Sequence, residues 1–422
     1  MDVLTTALTA AIADGGTGAA YEMLKSRLMG KSPRVDEAVA DLEQDPGSLS
    51  RQFAVSDALA AAGLAGDRYL RAAARNLVEE VDRRRALRAM PGPADAANHA
   101  VLQVFFATDR QVTGDRHPAR QFGAGRGELS YGSCEVSVPR GGQEDGPALP
   151  TLLRLQARAD PDGHAMLLRS DVVPRDQYFP MLADSIGKAA GSALLFVPGY
   201  RTSFEDAARR TAQIAHGLRF AGVPMFYSWP SQGRLSGYMV DETNVGWSEP
   251  RLAAFLIEFI EQAAPTEVLL LAHGMGARAL AGATIAALAA RPDLAPRLRH
   301  IILAAPDIDA GAFQRDIAPA LVAAGTVVTL YAASGDEALR AAHQTRDVPR
   351  AGDSGAVLLP VAGVQTIDAS AADTSFTGAP QTAPGHSILA DIRQLIAGQP
   401  AAGRSGLQAV ESPIGHHWSI NP

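Results

Sequence analysis

The run Leu269-Leu270-Leu271-Ala272-His273-Gly274-Met275-Gly276 reads as a buried strand that meets small residues with no polar loop between, and a helical pattern follows at once from Ala277. A short continuous apolar run ending on glycine marks a strand that turns tightly, because glycine adopts backbone conformations that other residues resist. The same alternation repeats around it. Apolar strand-like runs at 193–197, 225–228, 268–272, 300–304 and 327–331 alternate with helical stretches at 205–219, 250–262, 278–290 and 388–396. Alternating strand and helix predicts βαβ units and a mostly parallel sheet flanked by helices, an α/β fold. Ligands in such folds bind beyond the carboxyl ends of the strands, so residue 274 and the loops beside it are where chemistry is expected.

Upstream the pattern changes. Residues 1–90 read as helices, with apolar stripes at Tyr21, Leu24 and Leu28 and at Val35, Ala38, Val39 and Leu42. A further segment, 67–90, sets Leu70, Leu77, Val78 and Val81 opposite Arg71, Arg75, Glu79 and Arg83. These stripes predict a small all-α bundle. The stretch Leu42-Glu43-Gln44-Asp45-Pro46, followed by Gly63-Leu64-Ala65-Gly66-Asp67, resembles helical modules placed ahead of varied effector domains in bacterial multidomain proteins. That resemblance implies self-association or a protein partner through residues 1–90, against the plainer reading of a core-only bundle. Pro91-Gly92-Pro93 breaks the helical pattern and places a linker at 91–99. Residues 100–422 then form the α/β domain, with further strands expected at 101–107, 128–138 and 151–157, a polar loop at 141–147, and a closing C-terminal helix and tail.

Composition narrows the function classes. The 422 residues carry 45 acidic and 38 basic side chains, a net charge of −7, which gives no broad basic footprint for nucleic acid or an anionic membrane. No apolar run approaches the ~18 residues of a membrane span, and no basic-then-apolar leader opens the chain. The single cysteine, Cys134, rules out an internal disulfide framework and a Cys-rich metal site. The expectation is a cytoplasmic protein with no cofactor and no metal. His416-His417 in the tail lacks acidic or cysteine partners at ligand spacing.

Several stretches, ordered along the chain, carry a resemblance to a bacterial α/β-hydrolase family related to esterases: Val104-Phe105-Phe106-Ala107-Thr108-Asp109-Arg110, Arg126-Gly127-Glu128-Leu129-Ser130-Tyr131-Gly132, Gly199-Tyr200-Arg201-Thr202-Ser203-Phe204, Ser228-Trp229-Pro230-Ser231, Ala305-Pro306-Asp307-Ile308-Asp309 and Gly385-His386-Ser387. The family's nucleophile elbow usually reads Ala-His-Ser-Met-Gly. Here Gly274 stands at the nucleophile position, Pro198 where the oxyanion-loop histidine is usual, and Arg201 where an asparagine follows the tyrosine. Three changes converging on one site favour natural divergence, with an engineered serine replacement on a divergent background as the open alternative.

By chain order the resemblance implies that His386 is the triad histidine and Asp336 its orienting acid, with Asp307 and Asp309 as alternative carboxylates. Asp336, Asp307 and Asp309 also suit helix N-caps, and His386 also suits a surface loop. Backbone N–H groups of Met275 and of Tyr200 or Arg201 would form the oxyanion hole, which needs no particular side chain. Arg201 could receive an anionic group of a ligand through its planar fork. Trp229, within an aromatic group with Phe226, Tyr227, Tyr238 and Trp247, is a candidate pocket wall, with plain packing equally open. His273 is expected to turn away from Gly274.

Without a hydroxyl at 274 no acyl-enzyme can form there. Two functions stay open: hydrolysis of an ester or lactone by a water that His386 and Asp336 activate, and a silent binding or assembly protein.

Overall fold

A computed structural model of the chain describes residues 3–13, 19–67, 69–71, 73–74, 77–78, 81, 99–139, 165–233, 237–334, 348–354, 358, 360–370, 388–412 and 415–420. The chain divides into two compact units, Met1–Ala94 and Asp95–Pro422. The strand expected at 151–157, the loop at 141–147 and the linker up to residue 98 lie outside the described residues.

The first unit contains α1 (Val3–Ala13), α2 (Ala19–Leu28), α3 (Pro33–Gln44) and α4 (Leu49–Ala61). The stripes read from the sequence face inward. Tyr21, Leu24, Leu28, Val35, Val39 and Leu42 are buried with Leu4, Leu8, Val55, Leu59, Leu70 and Leu77 in one cluster. Spacing of three and four residues puts such side chains on one helical face, so each helix has an apolar stripe to bury against the others.

In the second unit, β1 (His99–Val112), β2 (Phe122–Pro139) and β3 (Met166–Val173) form an antiparallel meander, and β1 joins it in parallel to a central α/β sheet. That sheet is built from α5 (Arg175–Lys188), β4 (Ser192–Val197), α6 (Phe204–Leu218), β5 (Val223–Ser228), α7 (Tyr238–Ala263), β6 (Glu267–His273), α8 (Met275–Ala290), β7 (Leu298–Ala304), β8 (Val327–Ala332), β9 (Val364–Asp368), α9 (Ile388–Ile396), β10 (Leu407–Ser412) and β11 (Gly415–Ile420). Among the described residues the strands order as β10-β11-β9-β8-β7-β6-β4-β5-β1-β2-β3.

Successive side chains of a strand face opposite ways, and here both faces are covered. Leu195, Val197, Leu270 and Ala272 enter one apolar cluster, together with Phe255 and Phe259 of α7. Leu194, Phe196, Leu269 and Leu271 enter the other, with Ala208 and Ala212 of α6 and Ile392 of α9. Because β4 lies between β5 and β6, the connections leaving β4 and β6 diverge at their carboxyl ends, the place where this architecture has its ligand crevice.

Two expectations are corrected. The helix expected to start at Pro250 starts at Tyr238 and carries Pro250 inside. Proline suits a first turn because it lacks an N–H, but here the upstream turn is held by tertiary hydrogen bonds described below. The tail is a β-hairpin: β10 and β11 pair antiparallel, and β11 adds to β9 in parallel. Beneath it lies a buried polar group in which Asp391 Oδ2 accepts from Arg404 Nη1 at 2.9 Å and from the Tyr331 hydroxyl at 2.6 Å, and Arg404 Nη2 donates to Gln365 Oε1 at 2.7 Å. Removing one partner of a buried ion pair leaves the other charge uncompensated. The variant Arg404→Met is therefore expected to lose about 3–5 kcal/mol in urea denaturation near pH 7; a loss under about 1 kcal/mol would show that the pair does not anchor the hairpin.

Candidate active site

The elbow is a direct consequence of strand β6 running into α8. Gly274, between them, has φ 53° and ψ −123°, a conformation that side chains resist. Its N–H donates to the Ala304 carbonyl at 2.9 Å, and its own carbonyl accepts from the N–H of Asp307 at 3.0 Å. The turn is tight enough that a Cβ on Gly276 would run into the Pro198 and Val197 carbonyls, so α8 can press on the end of β4 only with glycine there. His273 has its ring against Gly199, where an added Cβ would stand 2.9 Å from Nδ1.

Residues 198–203 form the loop that leaves β4, where the oxyanion-type loop is expected. Trp229 is wholly buried and its indole N–H donates to the Pro198 carbonyl at 2.7 Å, so it supports the loop from below and does not line a cleft. Arg201 sits in the left-handed region at φ 59°. Its N–H donates to Asp241 Oδ2 at 3.2 Å, which engages one of the two amides expected to serve an oxyanion. Met275, at the first helical position of α8, is the expected donor on the elbow side. The loop ends where Ser203 caps α6 in a reciprocal pair with Asp206, Oγ accepting from the Asp206 N–H at 3.1 Å.

Two buried charged residues that the motifs did not single out hold this loop. Arg110, at the end of β1, donates from Nη2 to the Thr202 carbonyl at 2.6 Å, from Nη1 to the Ser231 and Gly123 carbonyls, and from Nε to Ser228 Oγ at 2.8 Å. Burial pulls its guanidinium down to about 10, opposed by the carboxylates of Asp109, Asp241 and Asp206. Asp241 accepts from Ser231 Oγ at 2.6 Å and from the Gln232 N–H at 2.7 Å as well as from Arg201. Burial raises its carboxyl, partly offset by these donors and by Arg110.

Two of the three candidate acids, Asp307 and Asp309, are placed differently. Asp307 follows β7 beside the elbow, almost fully buried, with Oδ2 accepting from the Tyr238 hydroxyl at 2.7 Å and Oδ1 facing buried Arg350 Nε at 3.3 Å. Burial raises its carboxyl, and the Tyr238 bond and Arg350 offset part of that. Asp309 instead accepts from the Ala312 N–H at 2.8 Å and caps the short helix Ala310–Ala312. Asp336 and His386 lie outside the described residues. Tyr238 also packs edge-on against Tyr200, ring centroids 5.6 Å apart. Tyr227 is buried, whereas half-exposed Trp247 stacks against Arg251 at 3.7 Å and lies 5.1 Å from Arg126. Among the described residues no three His, Cys, Asp or Glu side chains are grouped to hold a metal, and no helix is long and apolar enough to cross a membrane.

Residues 180–372 match a family described as an alpha/beta hydrolase of unknown function (DUF900), and residues 1–108 match the Het-E N-terminal domain. No curated protein matches the chain. Among solved structures, "AbyA5 Wildtype" is 14% identical with a TM-score of 0.25, over 82% of this chain and 86% of that one. A structure from a study of two prolyl endopeptidases is 11% identical with a TM-score of 0.22, over 65% of this chain and 35% of that one.

Two stability measurements test this geometry. Any side chain at 274 must adopt the strained turn, so Gly274→Ala should lose about 1–3 kcal/mol in urea denaturation; no loss would mean the turn relaxes. Asp109, beside Arg110, is fully buried and neither carboxyl oxygen makes a hydrogen bond of normal geometry. Burial raises its carboxyl, with the nearby Ser248 and Tyr227 hydroxyls and Arg251 offsetting only part. A raised folded value means stability present below the usual carboxylate range, ~3.9, and lost as pH climbs through the folded value. The variant Asp109→Asn should therefore melt above the parent near pH 8 and no higher near pH 4. An equal difference at both would contradict an ionisable cost there.

Proposed function

We propose that the Asp95–Pro422 unit, an alpha/beta hydrolase of a family whose function is unknown, carries a site of carboxylic-ester hydrolase ancestry that binds an ester or lactone carbonyl but has lost the covalent step. The observation that carries this reading is Gly274 itself. It keeps the strained turn, the close approach of Gly276 to Pro198 and the hydrogen-bonded loops on either side, while offering no nucleophile.

Hydrolysis at such a site runs through water. His386, oriented by Asp336, takes a proton from a water molecule whose oxygen adds to the ester carbonyl carbon. The tetrahedral adduct, its oxyanion facing the Met275 amide, then breaks the bond to the alcohol oxygen, which takes the proton back from the imidazolium. General-base assistance of this kind contributes about 10²–10⁴-fold, far below the loss of order 10⁶ that follows removal of a serine nucleophile.

A second reading is a catalytically silent binding or assembly protein with partner contacts through residues 1–90. It draws support from the separate helical unit, on which Met23 and Phe53 are about half exposed, at 50% and 57%. Turnover of short-chain aryl esters by the chain as it stands, by Gly274→Ser and by each with His386→Ala separates the two. The ester reading expects strong turnover in Gly274→Ser that His386→Ala removes, and at most weak, His386-dependent turnover in the parent. Absence of turnover in every form would overturn it in favour of the silent reading.

A further inference from the structure

The first turn of α7 touches both walls of the crevice. Tyr238, Asp241 and Glu242 stand at positions i, i+3 and i+4, a spacing that puts three side chains on one helical face. Tyr238 donates to Asp307, whose backbone N–H in turn holds the Gly274 carbonyl. Asp241 receives the Arg201 N–H and, through Ser231 Oγ at 3.1 Å, the Thr202 N–H. Glu242 receives Arg278 Nη1 at 3.3 Å, and Arg278 lies in the first turn of α8. The Tyr238 ring also rests on Tyr200. One helical turn thus bonds to the oxyanion-type loop, to the loop after β7 and to the helix that follows the elbow. The helix is held in this place upstream of Pro250, where nothing in local propensity requires it to continue.

We infer that Tyr238 and Asp241 are positioning residues: the first turn of α7 is a clamp that sets the separation between the 199–203 loop and the elbow with its 305–310 support. This inference rests on reading those two segments as the walls of a carbonyl site, but its physical content is a mechanical coupling that exists whether or not the chain turns over an ester. The alternative is two independent local supports. The two arrangements differ in one respect: in a clamp, cutting either attachment releases both walls, because the turn that remains is held on one side only.

Hydrogen exchange read by mass spectrometry on the full chain distinguishes these. Tyr238→Phe removes one hydroxyl, keeps the ring on Tyr200 and touches no atom of Asp241. The clamp expects exchange to rise about tenfold in 305–310 and in 199–203 alike. Asp241→Asn, which touches the 199–203 loop and residues 231–232 but nothing in 305–310, should likewise raise exchange in 305–310. Faster exchange confined to the loop each variant touches, or no change in either, would overturn the inference. If Asp241→Asn does not fold, Tyr238→Phe alone decides, since its cross-effect on 199–203 is either present or absent. In the Gly274→Ser form, where turnover is measurable, both variants should lower kcat with KM nearly unchanged. Loss of turnover in Gly274→Ser itself bears on the ester reading and leaves the exchange result standing.

Discussion

A strand that passes directly into a helix whose first turn presses on a neighbouring carbonyl leaves its linking residue almost no conformational choice. In this chain that residue is Gly274, held at positive φ by the Ala304 carbonyl on one side and the Asp307 amide on the other. Everything around the site follows from that turn. Gly276 must be glycine for α8 to reach Pro198, Pro198 is held from below by Trp229, and Asp307 is drawn against the elbow where Tyr238 and Arg350 can reach it. A serine at 274 would have to bear the backbone strain. Glycine bears it at little cost.

The second constraint is electrostatic. Arg110 and Asp241 are buried charges at the crevice, and buried charges persist only where hydrogen bonds replace water. Theirs go largely to loop backbone: Thr202, Ser231 and Gly123 carbonyls on Arg110, and Arg201 and Gln232 amides on Asp241. Such a network converts the cost of burial into a fixed loop shape, because any other shape would leave a charge unpaired. The left-handed Arg201 is one product of that bargain, since its amide reaches Asp241 from that conformation.

The α/β architecture was legible because its signals are local and strong. The apolar runs ending at Val197, His273 and Ala304 are buried on both faces, and periodicity reports that directly. The hairpin of β10 and β11 was not, because its half-exposed residues alternate weakly and its strand character comes from pairing with β9, some fifty residues away in sequence. Pro250 resembled a helix start, and only tertiary bonds from Tyr238 and Asp241 show that the helix begins a dozen residues earlier. At the site, Gly274, Met275, Tyr200 and Arg201 could be placed by order along the chain. Arg110 lay within a recognised stretch, yet its role could not be read, since a charge at the end of an apolar strand looks like a strand terminus. Arg350 stands in a segment with no periodic pattern at all, and only the fold brings it to Asp307.

The proposed site is a carbonyl-binding elbow that lacks only its nucleophile. The most direct test restores that one group and looks for its reactivity: treat the parent chain and Gly274→Ser with a serine-directed phosphonate and read the intact mass and the modified peptide. A single adduct, mapped to residue 274, is expected in the serine form and none at that position in the parent. A folded serine form that stays unmodified at 274 would contradict this reading, because it would mean that the surrounding groups no longer make a hydroxyl in that turn reactive.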